Sequence, residues 1–389
     1  MAGQVLTVAV GWQVYDIAGD PLALGLSGLA QFVPMAALTL HAGDLSDRVD
    51  RRLVLALSYA AQAIACAVLI AFALSEPKDV WPFYLVLAAL GAARAYSGPA
   101  MHSFVPLLVP QPELPQAISL SSATFQVAVI AGPAIGGAVY AFGAPFAYAL
   151  CLVLMLGVIV MMGFMRVSGS YKVPKNEMPG IARVTAGIAY VKRNPIVFGA
   201  ISLDLFAVLL GGVTALLPIF ARDILHVGPE GLGLLRSAPA VGAAALALYL
   251  SRWPLRRHAG LAMFANVALF GAATIVFGLS ENFFLSLFAL FLLGAGDMVS
   301  VYVRATLIQL ATPEAMRGRV SAVSLLFIGA SNELGEFESG VTASWFGTVP
   351  SVIIGGLGTL AVVGLWMWLF PALRRVDALG EVKPVTAGT

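Results

Sequence analysis

Charge is what this chain has least of. Lys, Arg, Asp and Glu make up 11% of its 389 residues and apolar side chains 60%, against about 25% charged residues in an average soluble domain. So few ionised groups cannot solvate the surface of a body this size, and most of the exterior must face lipid. Cysteine is nearly absent too. Cys66 and Cys151 both sit inside apolar runs, which excludes a disulfide framework and metal-ligand spacing alike. His41, His102, His226 and His258 are scattered and form no ligand pair, so neither a metal nor another cofactor is expected. No glycine-rich phosphate loop with its lysine occurs, which excludes ATP as the energy source. A net charge of +2 without a basic stripe excludes nucleic acid as a partner. No nucleophile with its base gathers near one interface, so the chain does not read as an enzyme.

Long apolar runs stand in place of these. A bilayer core about 30 Å thick takes about 20 apolar residues per helix. Twelve such runs, one of them short, cover 1–18, 21–42, 53–74, 81–103, 117–141, 145–165, 195–220, 231–250, 260–279, 283–309, 320–344 and 350–371. The first has Gln4 near its start and no Lys or Arg ahead of it. It reads as a span truncated at its amino end; a signal peptide would need a positive leader. Lys and Arg are retained on the cytoplasmic side during insertion. Alternate connections, beginning with 43–52, collect nearly all of them, leaving Lys78 and Arg222 opposite and Arg94, Arg236 and Arg304 within or beside spans. Both termini are therefore expected in the cytoplasm.

The longest polar stretch, 167–194, carries Pro174, Pro179 and a group of basic residues and divides the chain nearly in half. The expected organisation is an amino-terminal bundle over 1–166, a cytoplasmic linker over 167–194, a carboxy-terminal bundle over 195–373 and a cytoplasmic tail over 374–389. The halves echo each other. Pro21 with Leu24-Gly25-Leu26 recurs as Pro229 with Leu232-Gly233-Leu234, and Gly91, Pro110, Gly132 and Gly137 recur at one common spacing as Gly294, Pro313, Gly335 and Gly340. Their shared order points to duplication.

The connection after the second run reads Gly43-Asp44-Leu45-Ser46-Asp47-Arg48-Val49-Asp50-Arg51-Arg52. Gly43 permits close helix approach, and Asp44, Asp47, Arg48, Arg51 and Arg52 can form a charge cluster that latches neighbouring helices. Retention of positive charge accounts for the arginines alone, not for the acids among them. The equivalent loop of the second half, Ser251 to Gly260, keeps arginines but has no acid, so any latch is expected on one side only. The pattern resembles the loop signature of the major facilitator superfamily, departing from it at Asp50, where the family has glycine. Leu90-Gly91-Ala92-Ala93-Arg94 followed by Gly98 is similar to that family's fourth-helix motif, whose arginine the resemblance associates with proton coupling. Gly132-Pro133-Ala134-Ile135-Gly136-Gly137 resembles the fifth-helix motif of its antiporters and drug exporters. Physically, Pro133 removes one backbone hydrogen bond and Gly132, Gly136 and Gly137 admit a close neighbour, so a kink without directional meaning stays open as a reading. With Asp20-Pro21-Leu22-Ala23-Leu24-Gly25 and Thr312 to Arg319, the chain resembles the branch of enterobactin and macrolide exporters over nearly its whole length. The resemblance implies an all-α integral membrane fold of twelve transmembrane helices in two pseudo-symmetric six-helix bundles. It implies alternating access around a central cavity; the expected setting is the inner membrane and the expected state a monomer.

Ionisable groups within lipid cost about 2.5–3.5 kcal/mol each on insertion scales and are functional candidates. The eleventh run holds three carboxylates, Glu333, Glu336 and Glu338. Glu333 and Glu336 share a helix face, while Glu338 lies about 140° round from Glu333. Two adjacent carboxylates in an apolar setting cannot both ionise cheaply, which suits one of them to pick up and release a proton. At the repeat spacing Arg94 corresponds to Asp297. Glu333, Glu336 and Asp297 are therefore expected to carry protons, with Arg94 and Arg304 exchanging partners among them; fixed ion pairs or helix caps are the alternative. Asp16 and Asp204, in the first and seventh runs, are secondary candidates. Gln31, Phe125, Gln126, Asp204, Phe206, Phe327 and Asn332 are candidates for lining a cavity with apolar walls and few polar contacts, with lipid or helix packing the alternative for each phenylalanine. The expected partners are a small-molecule substrate, protons and the lipid bilayer. The expected function is secondary active export of an amphipathic small molecule, a siderophore or a drug, by proton antiport. An importer, facilitator or lipid mover on the same fold is the alternative, followed by a non-transporting sensor or scaffold.

Overall fold

The structure, a computed structural model, describes residues 1–75, 77–165 and 180–381, with side chains at all of these except 40, 43, 44, 46–48, 99, 102, 103, 105–107, 180–184, 315 and 381. Among the described residues no strand occurs. The helices run in order α1 (Ala2–Ala18), α2 (Pro21–Arg48), α3 (Arg51–Leu74), α4 (Trp81–Leu108), α5 (Leu114–Tyr140), α6 (Ala144–Phe164), α7 (Gly180–Arg193) and α8 (Pro195–Leu210). They continue with α9 (Leu217–Ile219), α10 (Gly228–Arg252), α11 (Ala259–Leu279), α12 (Phe283–Ala311), α13 (Glu314–Phe346), α14 (Thr348–Leu369) and α15 (Pro371–Arg374). Apart from end residues the apolar runs fall on helical backbone, except the run over 195–220, which is broken at Gly211–Gly212. Among the described residues, nine helical stretches are long and apolar enough to cross a bilayer by length and composition; the carboxylates of α13 keep that helix from being one of them. Leu248, Phe284 and Trp368 leave more than two thirds of their surface exposed, as expected where lipid replaces water as the solvent.

Helix starts follow local chemistry. Asp20 accepts from Leu22 N at 2.9 Å with Pro21 in the first turn, and Asn194 accepts from Ile196 N and Val197 N at 3.2 Å with Pro195 behind it. Asn282 does the same for α12 through Phe284 N and Leu285 N. Each side chain satisfies amides that have no partner within the helix, and proline loses nothing there because its missing N–H would be unpaired anyway. Part of the polar stretch read as a linker is helical: α7 lays Val191 into a core with Val197, Ile201, Ile308, Ala311, Val320 and Val323, and its Tyr190 hydroxyl donates to Ala311 O at 2.8 Å.

The contacts divide the chain into two compact units. Unit 1 comprises Met1–Gly180 together with Pro218–Ser237, and unit 2 comprises Ile181–Leu217 with Ala238–Thr389. The first unit thus gains a segment from the second half of the sequence, and both α10 and the stretch after α8 contribute to both units. Inside each unit one crossing is built the same way. A Cβ at Gly91 would lie 1.9 Å from the Gln31 carbonyl oxygen, bringing α4 onto α2; a Cβ at Gly294 would lie 1.9 Å from the Pro239 carbonyl oxygen, bringing α12 onto α10. Only a residue without a side chain lets two helix backbones approach so closely. Gly91 and Gly294 are repeat equivalents, and their partners fall at the spacing that relates Pro21 to Pro229.

Candidate functional site

In unit 2 the site is organised by a break in a helix. The apolar run over 195–220 is not one helix: α8 stops at Leu210, Gly211 and Gly212 leave the helical path, a short 3-10 turn spans Val213–Leu216, and after α9 a π turn covers Phe220–Ile224. Pro218, which cannot donate a backbone hydrogen bond, falls within α9. The break lies against α13. Gly335 approaches the Val208 and Leu209 carbonyls, and Gly212 approaches Gly335 O and Ser339 Oγ, all at 2.7–3.0 Å from where a Cβ would stand. Close packing of two glycines brings Thr214 beside the acids of α13, where its hydroxyl donates to Glu336 Oε1 at 3.5 Å. Glu333, Glu336 and Glu338 are each half-buried and Asn332 is exposed.

A second polar centre joins α8 to α12. Asp204 and Arg304 form an ion pair in which both side chains are about 95% buried. In an apolar interior a charge left unpaired is far costlier than a pair, so Arg304 has its carboxylate partner in Asp204. Asp204, expected as a cavity-lining candidate, is here a buried ion-pair partner, and Arg304, expected to exchange partners among Glu333, Glu336 and Asp297, is paired with Asp204. Asp297 lies two turns before Arg304 on the same face of α12 and is half-buried. Between them the Ser300 hydroxyl is buried without a hydrogen-bond partner in the described structure. Both candidate cavity phenylalanines of this unit have apolar neighbours. Phe206 lies tilted against Trp366 at 5.2 Å between ring centroids, and Phe327 packs on the core that α7 completes.

In unit 1, Arg94 is half-buried on α4 and its guanidinium reaches the start of α1, with Nη2 3.3 Å from where a Cβ at Gly3 would stand. The Gly-Pro motif of α5 forms two contacts. Gly132 and Gly136 lie on Gln4 and Val5 of α1, and Gly137 meets Pro229 and Gly233, which answers in turn to the Pro133 carbonyl. Gln31 and Gln126 are half-buried and Phe125 is 68% exposed. Of the loop motif, Gly43 and the side chains of Asp44, Asp47 and Arg48 lie outside what the structure describes. Arg52 donates through Nη2 to Gly163 O at the end of α6 at 2.8 Å, and its own amide donates to Asp50. Asp50, the departure from the family pattern, is therefore the N-cap of α3.

The loop of the second half has an acid after all. Asp377, from the tail, accepts from the His258 amide at 2.6 Å, meets the His258 ring at 2.8 Å and lies 3.9 Å from Arg257 Nε. A sequence-local search misses it because the acid arrives from more than a hundred residues downstream. Thr214 was missed for a different reason: nothing in a continuous apolar run reveals which hydroxyl a helix break will present, although Gly211-Gly212 was a signal that the helix stops.

Two units of membrane-length helices, with glycine crossings repeated between them and acids held beside a broken helix, describe a transporter scaffold, and the comparisons agree. Residues 1–384 match the family described as transmembrane secretion effectors. The chain belongs to this family of the major facilitator superfamily. An enterobactin exporter of Citrobacter koseri is 26% identical to this chain over 375 residues, which cover 95% of the chain and 89% of the relative. An enterobactin exporter of Shigella boydii is also 26% identical over 375 residues, with the same shares covered. Among solved structures, the nucleoside transporter NupG aligns with a TM-score of 0.69 at 12% identity, covering 96% of this chain and 97% of that one. The inward-open xylose transporter XylE of E. coli aligns with a TM-score of 0.67 at 13% identity, covering 98% and 96%. At such identities these structures establish the fold. The chain is a multi-pass membrane protein of the transporter type, not an enzyme.

Proposed function

We propose that the protein exports an amphipathic small molecule across the inner membrane in exchange for protons, as a monomer with both termini in the cytoplasm. The observation that carries this reading is Glu336, half-buried within a membrane helix one turn from Glu333 and hydrogen-bonded to Thr214 at the break after α8. A carboxylate beside unwound backbone is suited to exchange its proton when that backbone shifts, because its hydrogen-bond partner shifts with it. The relatives named as enterobactin exporters support a siderophore as the cargo, with a drug as the other member of the expected class. The side on which Lys and Arg concentrate supports cytoplasmic termini. Arg94, Asp297 and the Asp204–Arg304 pair form the supporting charge set.

The test is siderophore movement in proteoliposomes with an imposed pH gradient, run beside a cationic drug. The reading expects accumulation that follows the gradient, collapses with an ionophore and falls at least roughly tenfold in Glu336→Gln, in line with the loss of a proton-transferring group. Siderophore movement at the same rate with and without a gradient would make the protein a facilitator, and drug movement alone would replace the cargo.

A further inference from the structure

The end of unit 2 where α10 gives way to α11 is built from two segments more than a hundred residues apart. The chain that leaves α14 forms α15 and then lies along the start of α11. There Asp377 O accepts from Ala259 N and Val376 O from Gly260 N, both at 2.9 Å. Gly260 permits this approach, since a Cβ would stand 2.1 Å from Leu373 O and 3.1 Å from Arg374 O. Leu373, Val376 and Leu379 are buried in one core with Leu250 and Ala259. Backbone pairing and apolar burial thus fix Arg374 and Arg375 at the same end of the unit as the loop that carries Arg252, Arg256 and Arg257.

Charge at this end is one-sided. Arg252, Arg256, Arg374 and Arg375 are exposed, and among the described residues no carboxylate lies within ion-pair distance of their guanidinium groups. Asp377 is occupied by His258 and Arg257. The amides of His258, Ala259 and Gly260 are occupied as well, so the arginines are what remains to hold an anion. Retention of positive charge during insertion accounts for arginines in the loop, but not for a tail docked so as to add two more. The corresponding loop of unit 1 mixes acids with its arginines, and Arg52 there donates to Gly163 O. Beside Arg252, Tyr249 and Trp253 pair at 5.1 Å between ring centroids while staying 53% and 60% exposed. α10, α11 and α14 are of membrane length, so their ends at Arg252, Ala259 and Leu369 place the patch at headgroup depth. Tyr and Trp suit that depth because an apolar ring carries a polar tip. We propose that this end of unit 2 binds the headgroup of an anionic phospholipid, with Arg252, Arg256, Arg374 and Arg375 around the phosphate and Tyr249 with Trp253 against the glycerol and upper acyl chain. A guanidinium presents paired N–H donors that match phosphate oxygens. The exposed aromatic pair favours a lipid over a soluble phosphate. The inference rests on the export reading only for the leaflet, which is the cytoplasmic one.

Native mass spectrometry of the full chain in neutral detergent reads the site, with phosphatidylglycerol titrated in beside phosphatidylcholine. Phosphatidylglycerol is expected to bind the more tightly, and Arg374→Gln with Arg375→Gln to weaken it roughly tenfold. Both side chains are exposed, so this variant should melt as the native protein does. Lys192→Gln with Arg193→Gln removes the same charge from α7, elsewhere in unit 2, and should leave phosphatidylglycerol binding within about twofold of native. Equal losses in the two double variants would reveal only a general attraction to positive surface, and equal binding of the two lipids would remove the phosphate from the account; either overturns the site. Displacement of phosphatidylglycerol by millimolar inorganic phosphate would make the ligand a soluble anion and overturn the lipid. Selective binding lost as expected, in a protein that moves no siderophore, would keep the site and reject the export reading.

Discussion

At the residue scale the firmest structural statement is the burial of Asp204 with Arg304. Removing one member of a buried pair leaves the other charge without a partner, at a cost of about 3–5 kcal/mol. Asp204→Asn is therefore expected to lower the thermal midpoint of the purified protein sharply, and the double variant Asp204→Asn with Arg304→Gln to recover most of the loss. Equal midpoints for the single and double variants would show that the two side chains act separately. The pair also marks where sequence stops being informative. That both residues lie in apolar runs was plain, and so was the high cost of their charges. That they meet each other, and not Asp297 or Glu333, depends on how α8 and α12 are rotated, which no local pattern records. Asp50 is the opposite case. Glycine and aspartate look unrelated in a motif, yet both serve at a helix N-cap, where glycine costs only a few tenths of a kcal/mol and alanine about 1 kcal/mol. Asp50→Gly should be close to neutral and Asp50→Ala measurably destabilising in the same melting experiment.

At the scale of elements, glycine was the most readable signal. The sequence placed Gly91 and Gly294 as repeat equivalents, and each brings two helix backbones into contact at a matched partner, Gln31 and Pro239. Adding one methyl group at Gly91 requires the helices to separate, whereas Gly98 has nothing within 4 Å of an added Cβ. Gly91→Ala is expected to reduce the yield of monodisperse protein strongly, and Gly98→Ala to leave it within about 0.5 kcal/mol of native stability; size-exclusion profiles and melting curves check both. The break after α8 was harder to foresee. Its residues are apolar enough to extend a span, and a hydropathy reading carries straight through Gly211-Gly212. Only the packing of Gly335 and Gly212 reveals that the path bends to meet Glu336. The helix α7 was hidden for the reverse reason: its exposed face is polar, and it is held by the few apolar residues it lays into the core with Val320 and Val323.

At the scale of the whole molecule, composition alone required lipid as the surrounding medium, and the repeat pointed to duplication, with which the matched crossings at Gly91 and Gly294 agree. The division into units did not follow the midpoint of the sequence, because Pro218–Ser237 meets side chains of α1 and the closely approached backbone of α5. What unites the account is acids kept in an apolar interior beside a backbone that is already broken. The most direct measurement is substrate-dependent proton movement, followed with a pH-sensitive dye trapped in proteoliposomes that hold the native protein, Glu336→Gln or Glu333→Gln. Protons entering as siderophore leaves, with the coupled flux abolished in at least one of the two variants, is the predicted result. Siderophore transport in the native protein with no accompanying proton signal, or an undiminished signal in both variants, would contradict it.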